Sequence, residues 1–284
     1  MRLWIVYLFV SGLALFAGAA LLLAATALPA RRKSKTVRSA RRVLILVGWT
    51  FIALSGTPLP LWFYALWAGL TLAWAIGGRF PAASKPKAVV ALRLAAALAT
   101  LAAVGLEIPR QIAPDVASAR PETVYVVGDS ISAGIDELPP WPAVLGRETG
   151  LRVINLAQGG AKARSAMDQA DGIEAGPAVV VIEIGGNDML GGTPAGQFEA
   201  DLDRLIRALR GPERTLVMLE LPIPPLHNRF GSAQRRVADR HGVLLVPKRL
   251  FAAVLTSPDG TTDGLHLSET GHARMAGIVA GLLR

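Results

Sequence analysis

The first 108 residues are a succession of apolar runs parted by dense cationic stretches, and this alternation restricts the fold more than any motif downstream. Run 3–30 is apolar apart from a few Ser, Thr and Tyr residues. A helix of about 20 such residues crosses the hydrocarbon core of a bilayer. Arg31, Arg32, Lys33, Lys35, Arg38, Arg41 and Arg42 follow it. A second apolar stretch, 43–77, is interrupted by Ser55-Gly56-Thr57-Pro58-Leu59-Pro60, where a glycine and two prolines oppose a continuous helix. It divides into runs 43–57 and 61–77, with Trp49, Trp62, Trp67 and Trp74 as interfacial anchors. Arg79, Lys85 and Lys87 then precede a fourth run, 88–108. The expectation is an all-α transmembrane region of about four helices over 1–108, with spans near 3–30, 43–57, 61–77 and 88–108. A cleaved signal peptide fits the first run less well, because such apolar regions extend only about 7–15 residues.

Charge follows the same division. Up to residue 120 the chain has 14 Lys and Arg against 2 Asp and Glu; from 121 onward it has 16 against 19. The cations flank apolar runs, as cytoplasmic loops of membrane proteins do. The net charge of +9 therefore points to a bilayer and not to a nucleic acid. There is no cysteine, so disulfides, thiolate nucleophiles and Cys-based zinc sites are excluded. With no His-x-x-x-His pair, carboxylate cluster, phosphate loop or dinucleotide fingerprint, neither a metal nor an organic cofactor is expected.

Residues 109–122 read as a linker. From 123 to 284 strand and helix patterns alternate: strands at 123–127, 153–156, 178–184, 215–221 and 243–246, and helices at 141–148, 161–171, 197–210, 232–241, 248–255 and 268–283. That alternation predicts an α/β fold with a parallel sheet covered on both faces. Sites in such sheets gather at the carboxyl ends of the strands.

The chemistry-bearing residues fall there. Gly128-Asp129-Ser130-Ile131-Ser132-Ala133-Gly134 follows the first strand, Asn155-Leu156-Ala157-Gln158-Gly159-Gly160 the second, and Gly185-Gly186-Asn187-Asp188 the third. Asp263-Gly264-Leu265-His266 precedes the last helix. Ester cleavage by acyl transfer needs a nucleophile, a base, an orienting group and an oxyanion hole. Ser130 is the candidate nucleophile, on a Gly-flanked turn unlike the Gly-x-Ser-x-Gly elbow of α/β-hydrolases. His266 is the candidate base, and Asp263, three residues earlier, the group that orients its ring. The backbone N–H groups of Ser130 and Gly160 and the Asn187 amide are candidate oxyanion donors. His227, His241 and His272 read as surface or capping residues, and Asp129 and Asp188 as bonding their own turns.

In this order the four blocks resemble the SGNH hydrolases, or GDSL esterases, a family named for Ser, Gly, Asn and His. The resemblance covers about 123–284. It is closest to the bacterial thioesterase/lysophospholipase/arylesterase branch, which Trp141-Pro142-Ala143 and the Leu244, Val246 and Pro247 segment also resemble. It implies a flavodoxin-like parallel sheet flanked by helices, with Ser130, Gly160, Asn187 and His266 as the name-giving residues. Gly160 is preferred to Gly159 by its spacing from Asn155. The implied activity is that of a serine esterase acting on a lipid or polysaccharide ester, without a cofactor. Loops 135–140, 190–196 and 222–231 would shape its pocket. With both basic loops inside, the enzyme would be multi-pass in a bacterial inner membrane, its catalytic domain facing the periplasm or exterior; were 43–77 a single span, the domain would face the cytoplasm. Two other readings stand beside it. One is an acyltransferase serving an envelope sugar or lipid with a membrane partner protein, and the other a non-catalytic membrane scaffold.

Overall fold

The computed structural model describes residues 3–28, 35–77, 86–116, 122–135 and 138–284. The expected basic loop at Arg31, Arg32 and Lys33, the cations Arg79 and Lys85, part of the linker and two residues of the 135–140 loop lie outside the described residues.

The amino-terminal part is helical: α1 (Leu3–Val10), α2 (Ala14–Ala27), α3 (Lys35–Leu54), α4 (Leu61–Gly77) and α5 (Pro86–Glu107). Run 3–30 is therefore not one continuous helix. It breaks at Ser11–Leu13, where Gly12 takes φ +84°, and α1 and α2 meet at 80°. The freed polar groups are used by the turn between α3 and α4, for the Ser55 and Thr57 hydroxyls both donate to the Gly12 carbonyl at 3.2 Å. Helix α3 begins eight residues before its apolar run and carries Lys35, Arg38, Arg41 and Arg42 in its first half. By length and composition, the described residues hold one helix able to cross a membrane, Lys87–Gln111, and a second if the bent α1–α2 pair counts as one span.

Small residues let α2 and α3 approach closely. A Cβ on Gly18 would lie 2.5 Å from the Gly48 carbonyl oxygen, so only glycine fits that crossing. Leu15, Leu22, Ile52, Phe63 and Trp67 fill the space between the helices, and the Trp67 indole donates to Thr100 of α5 at 2.9 Å.

A short 3₁₀ turn, Ile108–Gln111, leads toward the sheet. The remaining elements are β1 (Thr123–Gly128), α6 (Ser130–Ala133), α7 (Trp141–Thr149), β2 (Arg152–Asn155), β3 (Ala178–Glu183), α8 (Gly186–Leu190), α9 (Ala195–Leu209), β4 (Arg214–Leu219), α10 (Asn228–His241), β5 (Leu244–Val246), α11 (Lys248–Leu255) and α12 (Glu269–Leu283). The expected helix at 161–171 is instead a 3₁₀ stretch, Ser165–Gly172. The Ser165 hydroxyl, at the start of this stretch, accepts from the Lys162 N–H at 3.0 Å.

All strands pair in parallel in the order β2-β1-β3-β4-β5, a doubly wound sheet. β3, buried along its whole length, sends Val180 and Ile182 into a core with α9 and α10, and Val179 and Val181 into one with α7, α11 and α12. Alternate residues must face opposite ways on a strand, and a strand covered on both sides is consequently apolar throughout. The exception is its last residue, Glu183, which pairs in register with Gly128.

The two parts join through buried charge. Arg235 of α10 forms two hydrogen bonds with Glu107 of α5, at 2.7 and 2.9 Å, and a third with Glu220 at 2.7 Å. Lys248 is fully buried, 3.7 Å from Glu220, and donates to the Gly56 carbonyl in the α3–α4 turn. Arg110 forms a two-pronged pair with Asp239.

Candidate active site

The turn after β1 is held from three sides. Gln169 clamps Gly128, its Oε1 accepting from the Gly128 N–H at 2.9 Å and its amide donating to the Gly128 carbonyl at 3.0 Å. A Cβ at Gly128 would lie 2.7 Å from the Glu183 carbonyl oxygen. Asp129 caps α6 by accepting from the Ile131 N–H at 3.0 Å, which sets Ser130 as the first residue of that short helix.

The second block is tied to the first by Asn155. Its amide donates to the Ser132 carbonyl at 2.8 Å, and its oxygen accepts from the Ala157 N–H at 3.2 Å. Gln158–Ala161 is a tight turn closed by the Ala161 N–H on the Gln158 carbonyl. Gly160 takes φ +75° at its third position, which L side chains resist. Gly160, and not Gly159, is thus the residue whose conformation requires glycine.

The third block reaches across both. The Asn187 amide donates to Asp129 Oδ2 and to the Ala161 carbonyl, each at 3.1 Å. Asp188 is buried, and its Oδ2 accepts from the Ala163 N–H at 2.9 Å. It therefore braces the Gly160 loop and does not merely bond its own turn; Asp129 does bond its own turn, as expected, and Asn187 besides.

In the fourth block Asp263 Oδ1 accepts from the Leu265 and His266 N–H groups at 2.9 and 2.8 Å, while Oδ2 meets His266 Nδ1 at 2.7 Å. Gly264, at φ +89°, allows the tight turn. The imidazole contact, followed by the two backbone donors, holds the Asp263 carboxyl well below its ordinary range. With Nδ1 engaged, the ring's Nε2 is the nitrogen left for proton transfer.

Ser130 and Asn187 line one cavity of about 340 Å³, together with Gly264 and Leu265 of the turn that carries His266. The His266 ring lies within electrostatic reach of Asp129, the residue before Ser130. Gly160 enters the arrangement through its loop, which Asn187 grips at Ala161. Among the described residues no group of three or more His, Asp or Glu side chains could hold a metal ion.

A polar layer under the Ser130 turn has no counterpart among the sequence expectations. Ser132 is buried; its hydroxyl donates to Glu183 at 3.0 Å and accepts from the Trp141 indole at 3.1 Å. Burial, followed by the nearby Asp129 charge, pushes the Glu183 carboxyl well above its ordinary range. Burial also raises Asp129. The available signal was a carboxylate closing an otherwise apolar strand. His272, expected at the surface or as a cap, is buried and caps: its Nδ1 accepts from the Trp141 N–H at the start of α7, at 3.1 Å.

Comparison with known proteins converges on this part of the chain. The GDSL-like Lipase/Acylhydrolase family matches residues 126–274. An esterase TesA of Pseudomonas aeruginosa is 30% identical over 159 residues, 51% of this chain and 79% of that protein. An arylesterase of Vibrio mimicus is 29% identical over 185 residues, 58% of this chain and 89% of its own. The crystal structure of TesA superposes with a TM-score of 0.50 at 28% identity, covering 57% of this chain and 98% of that one.

Proposed function

The chain belongs to the GDSL-like lipase/acylhydrolase family, a family of ester hydrolases, and from that premise we propose that it is a membrane-attached serine esterase acting on acyl lipids through Ser130. The observation that carries the site assignment is the Asp263–His266 pair at 2.7 Å, on the turn that lines the Ser130 cavity. His266 Nε2 takes the hydroxyl proton as Ser130 Oγ attacks the ester carbonyl carbon. Asp263 keeps the ring in the Nδ1–H tautomer and stabilises the imidazolium. The charge developing on the carbonyl oxygen is met by the N–H groups of Ser130 and Gly160 and by the Asn187 amide. Collapse of the intermediate expels the alcohol, which receives the proton from His266. Water, deprotonated by the same ring, then cleaves the acyl-enzyme to release the acid and free Ser130.

Lipid is favoured over sugar ester by the walls of the cavity, where Ile131, Met189, Leu221, Phe251 and Leu255 give an apolar lining. Membrane attachment is supported by the distribution of exposed apolar side chains. Among the described residues, every large one except Ile135, Leu190, Leu226 and Leu265 lies between Leu3 and Ile112. So extensive an apolar surface needs a cover. Orientation follows from which ends of the helices meet the sheet. The end of α1, the turn 55–60 and the end of α5 all bond to the α/β part. Lys35, Arg38 and Lys87 begin α3 and α5 at the opposite ends. Under the positive-inside rule that polarity supports a reading in which the cationic helix ends are cytoplasmic and the α/β part lies on the exterior face.

Detergent-solubilised protein treated with a fluorophosphonate probe should label at Ser130, and the label should vanish in Ser130→Ala together with hydrolysis of p-nitrophenyl esters. A folded wild-type protein that neither labels nor hydrolyses any ester would overturn the assignment.

A further inference from the structure

We infer that α1 is the acyl-chain wall of the active site, so that chain-length preference is set by the helix at the start of the chain and not by the α/β part alone. The proposal rests on the esterase reading above. Leu3, Val6 and Val10, at the helical spacing that shares one face, line the cavity that also holds Ser130. Phe251 and Leu255 of α11, the helix on which α1 packs, line it too. An acyl group attached at Ser130 Oγ must project from that atom, and an apolar slot opening there suits a hydrocarbon chain.

The wall is fixed at its carboxyl end. The Phe9 carbonyl accepts from the Gly56 N–H at 2.8 Å, and the Val10 carbonyl from the Ile223 N–H at 3.4 Å. Gly12, at φ +84°, lies so close to Lys248 that a Cβ there would be 3.0 Å from the lysine Cε. The other end is open, with Leu3 41% and Trp4 60% exposed. Because α1 is bent 80° from α2, a bilayer-crossing α2 leaves α1 lying along the membrane surface. The slot beside Ser130 is then bordered by a helix at the bilayer surface. A lipid chain would reach it without crossing the polar rim of the sheet.

The test uses the full chain in detergent with p-nitrophenyl acetate and octanoate. Each buried methylene favours binding about fourfold, so displacing fewer than two of them costs about tenfold. Val6→Trp, which fills the slot, should lower the octanoate-to-acetate ratio of kcat/KM by about tenfold or more. Trp4→Ala, on the outer face, should leave the ratio unchanged. Should Val6→Trp fail to fold, Val6→Ala serves instead, and should shift the preferred ester toward dodecanoate. Fluorophosphonate labelling separates the two ideas. A labelled variant with an unmoved chain-length profile overturns the wall alone, whereas wild-type protein unlabelled at Ser130 overturns the esterase assignment and the wall with it.

Discussion

Asn187 is where geometry and chemistry make the sharpest demand on each other. Its amide has two hydrogens, and both are directed inward, to Asp129 Oδ2 and to the Ala161 carbonyl. As an oxyanion donor it must give up or share one of them when the tetrahedral intermediate forms; as a brace it need not. Asn187→Ala separates the roles. Loss of one oxyanion donor lowers kcat by about 10²–10³-fold, or about 2.7–4 kcal/mol of barrier. The two lost bonds, one of them to a carboxylate, together amount to roughly 2–3 kcal/mol of stability at a partly buried position. For a folding unit of this size that lowers Tm by roughly 5–10 °C. Asn155→Ala is the matched control, since it deletes two bonds in the neighbouring loop without deleting a candidate donor. The measurements are kcat on p-nitrophenyl acetate and Tm by intrinsic fluorescence in the same detergent. Both variants should lose comparable Tm, but only Asn187→Ala should lose two to three decades of kcat. Equal losses of kcat in the two would refute the donor role and leave Asn187 a brace.

Two further predictions concern buried charge. Glu183 has its folded-state pKa raised, so the stability it contributes is complete below the unfolded value near 4.3 and is lost as pH rises toward the folded value. Glu183→Gln, which keeps the hydrogen-bonding shape without the titration, should flatten the decline of Tm as pH rises above about 4.3; an unchanged slope would mean that the Glu183 pKa is not raised in the fold. Glu107→Ala leaves Arg235 buried with only Glu220, and should cost about 3–5 kcal/mol in denaturant unfolding. A cost within about 1 kcal/mol would show that the junction between helices and sheet is not held by this pair.

Which of these features could be read from the sequence depends on the range of the interactions that create them. The strands were legible because an apolar run bounded by glycines is a local signal, and β3 and α11 fall within a residue of expectation. The four blocks were legible because each sits immediately after a strand or before a helix. The bend at Gly12 was not, since apolar composition continues through it. What stabilises the broken backbone there is Ser55 and Thr57, more than forty residues away. Glycine beside serine in a presumed span was the only local hint. The same holds for the junction. Glu107 is one of just two acidic residues in the first 120, a placement that is costly in an apolar helix and becomes intelligible only when Arg235 is brought to it.

The features hidden from sequence are thus concentrated where the amino-terminal helices meet the sheet, and this has a consequence for how the enzyme is built. A buried Arg235 and Lys248 are each costly without their carboxylates, and Lys248 also requires the Gly56 carbonyl from the α3–α4 turn. Removing the helices would therefore expose the apolar cavity along α1 and, in the same act, strip Arg235 of Glu107 and Lys248 of its carbonyl partner. The α/β part carries every residue proposed for the bond-breaking step, yet the partners of its buried Arg235 and Lys248 are completed by the amino-terminal helices. Relatives that match this chain over little more than half its length share the α/β part. In this chain the wall beside Ser130 and the counter-charge for α10 come from the other part, so the helices complete the cavity.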